Sequence, residues 1–525
     1  MQSHGTRAAL LARLLLLPLT AVLAAGCAVG PNAGPAVVRG GGSKGTPGSA
    51  SKKAAPVPAI GGIRTDLDWR DCPSAMAARY GATPDKQLRI KCTTLRNGAN
   101  PSVSGGQSVS VPLVSVRLPS TPADAAPLVA VTGTDLPAGQ LALALADGPA
   151  GKALLAKHPV VAIEQRGLAD VDCLTRADRT VIADYGLVGT GTDAKTRVNK
   201  LAAAARSAAD SCTDTLDDNA LAFSYALAAT DIEALRTKWG VDRLAVLGVG
   251  TGSEVALAFA AQYPDRVGRL VLDTPTPYGG PTKQRATARV RGVQQALETF
   301  TRRCTTDPAC RGKEADPSAL LQSVITKARA GTLKDVNDAQ LLDAVTIEVG
   351  LATDPARLRA LVAALAAADG GNTGELATLV RRTAALQTSD GMLVSRCNNA
   401  SGTVGLNEIE GLLGEWGKQY PLVGTTQAIG LARCTGWGTA NPASAPNSYA
   451  VPPLVFASGA DPVNGSDPAS LNKVFADGST APTTVSWDGV GYSVLSHSDC
   501  AAGIVNDYLD ADGLTGDRTR ACPAT

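Results

Sequence analysis

The segment Leu244-Ala245-Val246-Leu247-Gly248-Val249-Gly250-Thr251-Gly252-Ser253 has the spacing of a nucleophile elbow, the strand–turn–helix motif G-x-S-x-G. Gly248 and Gly252 hold the two glycine positions, where strand and helix backbones must pass close together. Gly250 stands where the serine should be. Two later residues complete the order nucleophile, acid, base: Asp461 in Gly459-Ala460-Asp461-Pro462-Val463, and His497 in Ser496-His497-Ser498. Such a trio performs acyl transfer, in which serine attacks, histidine takes its proton and the acid orients the imidazole. Only three histidines occur; His4 lies near the N-terminus and His158 beside Pro159 reads as structural, so His497 is the candidate base. Glycine has no oxygen to attack with. Thr251 or Ser253 would have to replace it, or His497 would have to activate a water. Thr251 is also the elbow residue whose N–H would serve an oxyanion hole.

The surrounding elements must aim these residues. Pro127–Val131, Pro159–Glu164, Arg243–Gly248, Val267–Leu272, Pro453–Ser458 and Thr483–Trp487 are short apolar runs, as buried strands are. Ser108–Leu118 alternates, and Pro112 within it predicts an edge strand. Helical periods fall between these runs. Thr230 and Glu233 are spaced as a capping box at the start of the helix ending at Trp239. Strand and helix alternation implies an α/β, mostly parallel, doubly wound sheet. From Tyr278 to Thr388 only helical periods occur, for example Ala286–Arg303 and Pro355–Ala368. The expected organisation is a core over 61–280, a helical lid over 281–390 and a second core segment over 391–525.

The chain resembles the secreted tripeptidyl aminopeptidase-like serine peptidases of the α/β-hydrolase superfamily. The resemblance rests on the elbow, on Asp231, Leu235, Arg236 and Trp239-Gly240 before it, and on Tyr263-Pro264-Asp265-Arg266-Val267 and Val271-Leu272-Asp273 after it. Trp69 with Cys72, Glu164-Gln165-Arg166-Gly167 ahead of Cys173, Arg396-Cys397-Asn398-Asn399 and Cys434-Thr435-Gly436-Trp437 extend it. It implies an α/β-hydrolase fold and triad roles for Asp461 and His497. The sequence departs from the family at Gly250, and at Thr132-Gly133-Thr134-Asp135 where relatives carry a Gly-Gly-Pro-Gly stretch whose backbone donates to the oxyanion; the resemblance gives that role to Gly133 and Thr134, and the Asp135 carboxylate beside them would oppose developing negative charge. The expectation is a homologue without its nucleophile that binds a peptide or small molecule in a lidded cleft. The other reading is a peptidase or esterase with relocated catalysis.

The N-terminus reads as an export signal. Arg7 and Arg13 precede an apolar run from Leu14 to Ala25, too short for a membrane span, and Leu23-Ala24-Ala25-Gly26-Cys27 resembles a lipobox. Residues 1–27 are thus expected to be a lipoprotein signal with Cys27 as lipid attachment site; an ordinary cleaved signal is the alternative. Residues 28–60, rich in Gly, Pro, Ser, Ala and Lys, read as a tether. The expected location is extracytoplasmic, lipid-anchored at the membrane. Six basic residues and no acid precede position 61; setting those six aside from 49 leaves 43 basic residues against 47 acidic ones, which argues against a nucleic-acid partner. Beyond Cys27 ten cysteines remain: Cys72, Cys92, Cys173, Cys212, Cys304, Cys310, Cys397, Cys434, Cys500 and Cys522. An even count behind an export signal argues for disulfides, and spacing alone leaves their pairing open. No metal or cofactor motif is present.

Overall fold

A computed structural model describes residues 57–524 apart from 81–83, 101–106, 149, 188–191, 388, 467, 477–479 and 511–512. The expected signal, Cys27 and nearly all of the expected tether lie outside the described residues. Ten strands form one sheet in the order β1-β2-β3-β5-β4-β6-β7-β8-β9-β10. They are β1 (Arg70–Asp71), β2 (Arg89–Gly98), β3 (Ser108–Arg117), β4 (Leu128–Val131), β5 (Val160–Ile163), β6 (Leu244–Val249), β7 (Val267–Asp273), β8 (Leu454–Ser458), β9 (Thr483–Trp487) and β10 (Thr519–Cys522). The first three pair antiparallel, β3 also pairs antiparallel with β5, and every pairing from β5 onward is parallel. Strands β4, β5, β6 and β7 are buried at every position, which is why they read as unbroken apolar runs.

Strand β3 is internal, flanked by β2 and β5, so the edge expected from Pro112 is not found. The β5 ladder begins one residue later, at Leu113↔Ile163. The Pro112 carbonyl accepts from Glu164 N at 2.9 Å on that side, so the missing N–H faces the place where β5 has already ended. The capping box at Thr230 is also absent. The helix starts at Tyr225, capped by Ser224, whose side chain accepts from Leu227 N; Thr230 lies a turn inside and returns its hydroxyl to Leu227 O. Local spacing mimicked a cap that the chain makes earlier.

Helices occupy the connection between β7 and β8, from Thr282–Thr306 through Asp390–Asn398 to Leu406–Gln419 and Gly424–Gly430. The helical insertion therefore runs about forty residues past 390, and its Leu297, Phe300, Leu321, Val345 and Trp416 share an apolar core with Val198 and Leu201 of the helix Ala194–Leu216. The ten cysteines pair in sequence order: Cys72–Cys92, Cys173–Cys212, Cys304–Cys310, Cys397–Cys434 and Cys500–Cys522. Among the described residues, no helix is long and apolar enough to cross a membrane.

Candidate functional site

Strand β6 ends in a sharp turn at Gly250, with φ +55°, and the helix Gly252–Gln262 follows. A Cβ on Gly248 would lie 2.7 Å from Gly252 O, and one on Gly252 would lie 2.0 Å from Val131 O. The motif glycines are thus required by backbone contact. Gly250 N donates to Asp273 O and Gly250 O accepts from Ser253 N, which closes the elbow.

A Cβ at position 250 would meet Asp135 Oδ2 at 2.0 Å, Asn464 Nδ2 at 2.2 Å and Tyr492 Cε2 at 3.1 Å. The space a side chain at position 250 would occupy is filled, chiefly by the carboxyl of Asp135. Its Oδ2 accepts from Thr251 N at 2.8 Å, Asn464 Nδ2 at 2.9 Å and the Tyr492 hydroxyl at 3.3 Å. Its Oδ1 lies 2.9 Å from Thr251 Oγ1. That hydroxyl has one proton and faces a second acceptor, Thr132 O, also at 2.9 Å. A proton on Asp135 serves both contacts, and burial does push this carboxyl up from its ordinary value.

The main-chain N–H groups expected to serve an oxyanion are engaged in the same cluster. Thr251 N is held by Asp135, and Thr134 N donates to Thr251 Oγ1 at 3.0 Å. Gly133 (φ +56°) packs against Thr251; a Cβ there would lie 2.6 Å from its hydroxyl. Ser253 is buried and donates to Gly248 O.

Asp461 and His497 do not pair. Asp461 Oδ1 accepts from Val463 N and Asn464 N, while Oδ2 is buried without a partner. Burial, reinforced by Asp135, pushes its carboxyl up to about 7, despite the two backbone donors. His497 Nδ1 lies 2.9 Å from Ser493 O, so that nitrogen carries the proton; Nε2 is buried and unpartnered. Its ring packs on Trp487, and it lines a separate cavity with Phe300 and Val349. The residue that faces the elbow from the loop after β9 is Tyr492. Asp273 decides this: it accepts from Ser493 Oγ, Val494 N and Leu495 N, and burial pushes it up to about 6. That clamp holds Ser493 at φ +66° and turns His497 away.

The structure therefore brings together Gly250, Thr251, Gly133 and Thr134, with Asp461 on the neighbouring loop, and leaves His497 outside. Tyr492 and Asn464 were missed in the sequence. Gly491-Tyr492 directly after β9, and Asn464 three residues after Asp461, were the available signals.

Above this cluster lies a cavity of about 220 Å³, lined from the core by Thr134, Asp135, Tyr225, Thr251 and Glu254, and from the helical insertion by Arg285, Arg289, Leu393, Arg396 and Arg433. The insertion roofs the elbow. Glu254 accepts from Thr276 Oγ1 and pairs with Arg285. Below, Arg166 is fully buried and bonds Asp231 through two nitrogens, at 2.6 and 2.8 Å.

Two family models match the chain: one described as the alpha/beta hydrolase fold over residues 196–325, and one described as TAP-like protein over residues 420–522. The serine protease Hip1 of Mycobacterium tuberculosis (strain ATCC 25618 / H37Rv) is 27% identical over 112 residues, 21% of this chain and 21% of that protein. Hip1 of Mycobacterium bovis gives the same figures, so the match spans about a fifth of these relatives' length. Similar solved structures include a proline iminopeptidase of Mycobacterium smegmatis (13% identity, 79% of this chain and 97% of that one, TM-score 0.36). A naproxen esterase of Bacillus subtilis is another (11%, 83% and 95%, TM-score 0.34). The chain has the α/β-hydrolase fold, with a mostly parallel sheet, and is a peptidase- or hydrolase-like protein.

Proposed function

We propose that this chain is a hydrolase-fold protein without hydrolytic turnover, one that binds a small molecule or peptide in the roofed cleft. It is exported and held at the membrane by a lipid on Cys27. The observation that carries the loss of turnover is Asp135. Its carboxyl sits where a nucleophile's side chain would stand and takes the Thr251 N–H that would stabilise an oxyanion. Gly250 supplies no nucleophile, and Thr251 Oγ1 is engaged by Thr132, Thr134 and Asp135. The facing tyrosine has its hydroxyl pushed well up by burial and is no base at neutral pH.

The test is turnover of p-nitrophenyl butyrate and tripeptide anilides, with labelling by a serine-directed fluorophosphonate. The expected result is no rate above buffer and no label. Turnover that disappears in Thr251→Ala or His497→Ala would overturn the reading. For the anchor, lipid labelling of the expressed full chain should be lost in Cys27→Ser; labelling that persists would place the lipid elsewhere.

A further inference from the structure

Three arginines from three segments of the helical insertion converge on the cavity: Arg289 from Thr282–Thr306, Arg396 from Asp390–Asn398 and Arg433 from the turn Leu431–Cys434. Each donates to a main-chain carbonyl: Arg289 to Val463 O, Arg396 to Thr134 O and Arg433 to Gly430 O. Among the described residues none of them has a carboxylate within ion-pair distance, and Arg289 Nε is buried with no partner. The fourth arginine of the cavity, Arg285, is already neutralised by Glu254. Two carboxyls face the trio: Asp135, committed to Thr251, Asn464 and Tyr492, and Asp343, on the wall of an adjoining cavity of about 70 Å³ that shares Leu393, Arg396 and Arg433.

Gathering like charges costs free energy unless something offsets it. Burial and the neighbouring Arg433 and Arg289 pull the Arg396 guanidinium down to about 10. The fold nevertheless fixes the cluster covalently, because the disulfide Cys397–Cys434 joins the residues next to Arg396 and Arg433. Arg433 is further held over the Tyr185 ring at 4.6 Å. Guanidinium forks held this way suit a planar or tetrahedral oxyanion. The rest of the wall, with Ala286, Leu393, Val404 and Leu431, suits an apolar body.

We propose that Arg289, Arg396 and Arg433 bind the carboxylate or phosphate group of a small amphipathic acid lodged in this cavity. The proposal rests on the binding reading given above and names its ligand class. The experiment is isothermal titration of the full chain with octanoate, octyl phosphate and the uncharged octanamide, in wild type and in Arg396→Gln, Arg433→Gln and Arg396→Lys. Circular dichroism and melting checked alongside identify any variant that fails to fold.

The expected result is saturable binding of at least one anion, weakened about tenfold or more in either glutamine variant and by less in the lysine variant, with octanamide far weaker. The anion that binds more tightly identifies the head group. Binding of neither anion, equal binding of octanamide, or unchanged affinity in the folded glutamine variants would overturn the proposal. Equal binding of octanamide would do so while leaving a ligand-binding cleft in place. Turnover of p-nitrophenyl octanoate, by contrast, would defeat the binding reading itself.

Discussion

Restoring the serine is the most direct perturbation of the elbow, and the structure predicts that Gly250→Ser harms the protein without activating it. Two costs arise. A serine held at φ +55° bears left-handed strain of about 1–2 kcal/mol. Its Cβ also falls 2.0 Å from Asp135 Oδ2 and 2.2 Å from Asn464 Nδ2, so the carboxyl must leave its donors. Displacing that buried group costs about 1–3 kcal/mol, for a total of about 2–5 kcal/mol. Residues 56–525 form one compact unit, and an unfolding entropy of about 2.1 cal/mol/K per residue makes 1 kcal/mol worth about 1 °C there. Melting by differential scanning fluorimetry should therefore fall by about 2–5 °C. Asp135→Gly in the same chain empties the space, so the double variant should recover part of that loss. The double-mutant cycle should then show coupling of at least about 1 kcal/mol. Neither variant should hydrolyse p-nitrophenyl butyrate, because no imidazole faces the site. A single variant that melts at the wild-type temperature, or an additive cycle, would refute the placement of Asp135 over Gly250.

Stability should depend on pH through Asp461. Its carboxyl titrates near 3.8 when exposed and near about 7 when folded, so the folded chain keeps a proton that the unfolded chain has lost. That contribution is full below the lower value and lost as pH rises through the upper one, on the order of 4 kcal/mol across the window. Asp461→Asn should flatten this slope in urea titrations between about pH 4 and pH 7, raising stability at the upper end; an unchanged slope would contradict it. Arg166→Ala strands the buried Asp231 carboxylate and should cost about 3–5 kcal/mol by urea denaturation. Removing Cys397–Cys434, which closes a 37-residue separation, should cost about 4 kcal/mol in the chain-entropy account and lower affinity for any anion held by Arg396 and Arg433; binding unchanged in the Cys→Ser pair would show that the bridge does not hold the arginines together.

Much of the fold was legible because it is written in local patterns. Strands buried on both faces read as apolar runs, and Gly248 and Gly252 marked the elbow because no Cβ fits where helix and strand backbones touch. The ten cysteines pointed to disulfides, and the pairing in sequence order appeared only with the coordinates. Local signals misled where a nearby alternative won: Thr230 had cap spacing, yet the chain caps at Ser224, and Pro112 suggested an edge, yet sits beyond the end of the β5 ladder.

The sequence by itself determined a strand–turn–helix segment with glycine at its centre, since Gly248 to Gly252 are five consecutive residues. It also marked Asp135 as a carboxyl group beside the expected oxyanion position. What fills the space above Gly250 was decided by tertiary structure. Asp135, Asn464 and Tyr492 come from the loops after β4, β8 and β9, with Asp135 329 and 357 residues from the other two, and no local spacing encodes their meeting. The same holds for His497. Its type and its position in chain order suited a triad base, but the Asp273 clamp on Ser493, Val494 and Leu495 sets the direction of that loop. Side-chain direction after a strand is fixed by long-range hydrogen bonds, and those exist only once the sheet has formed.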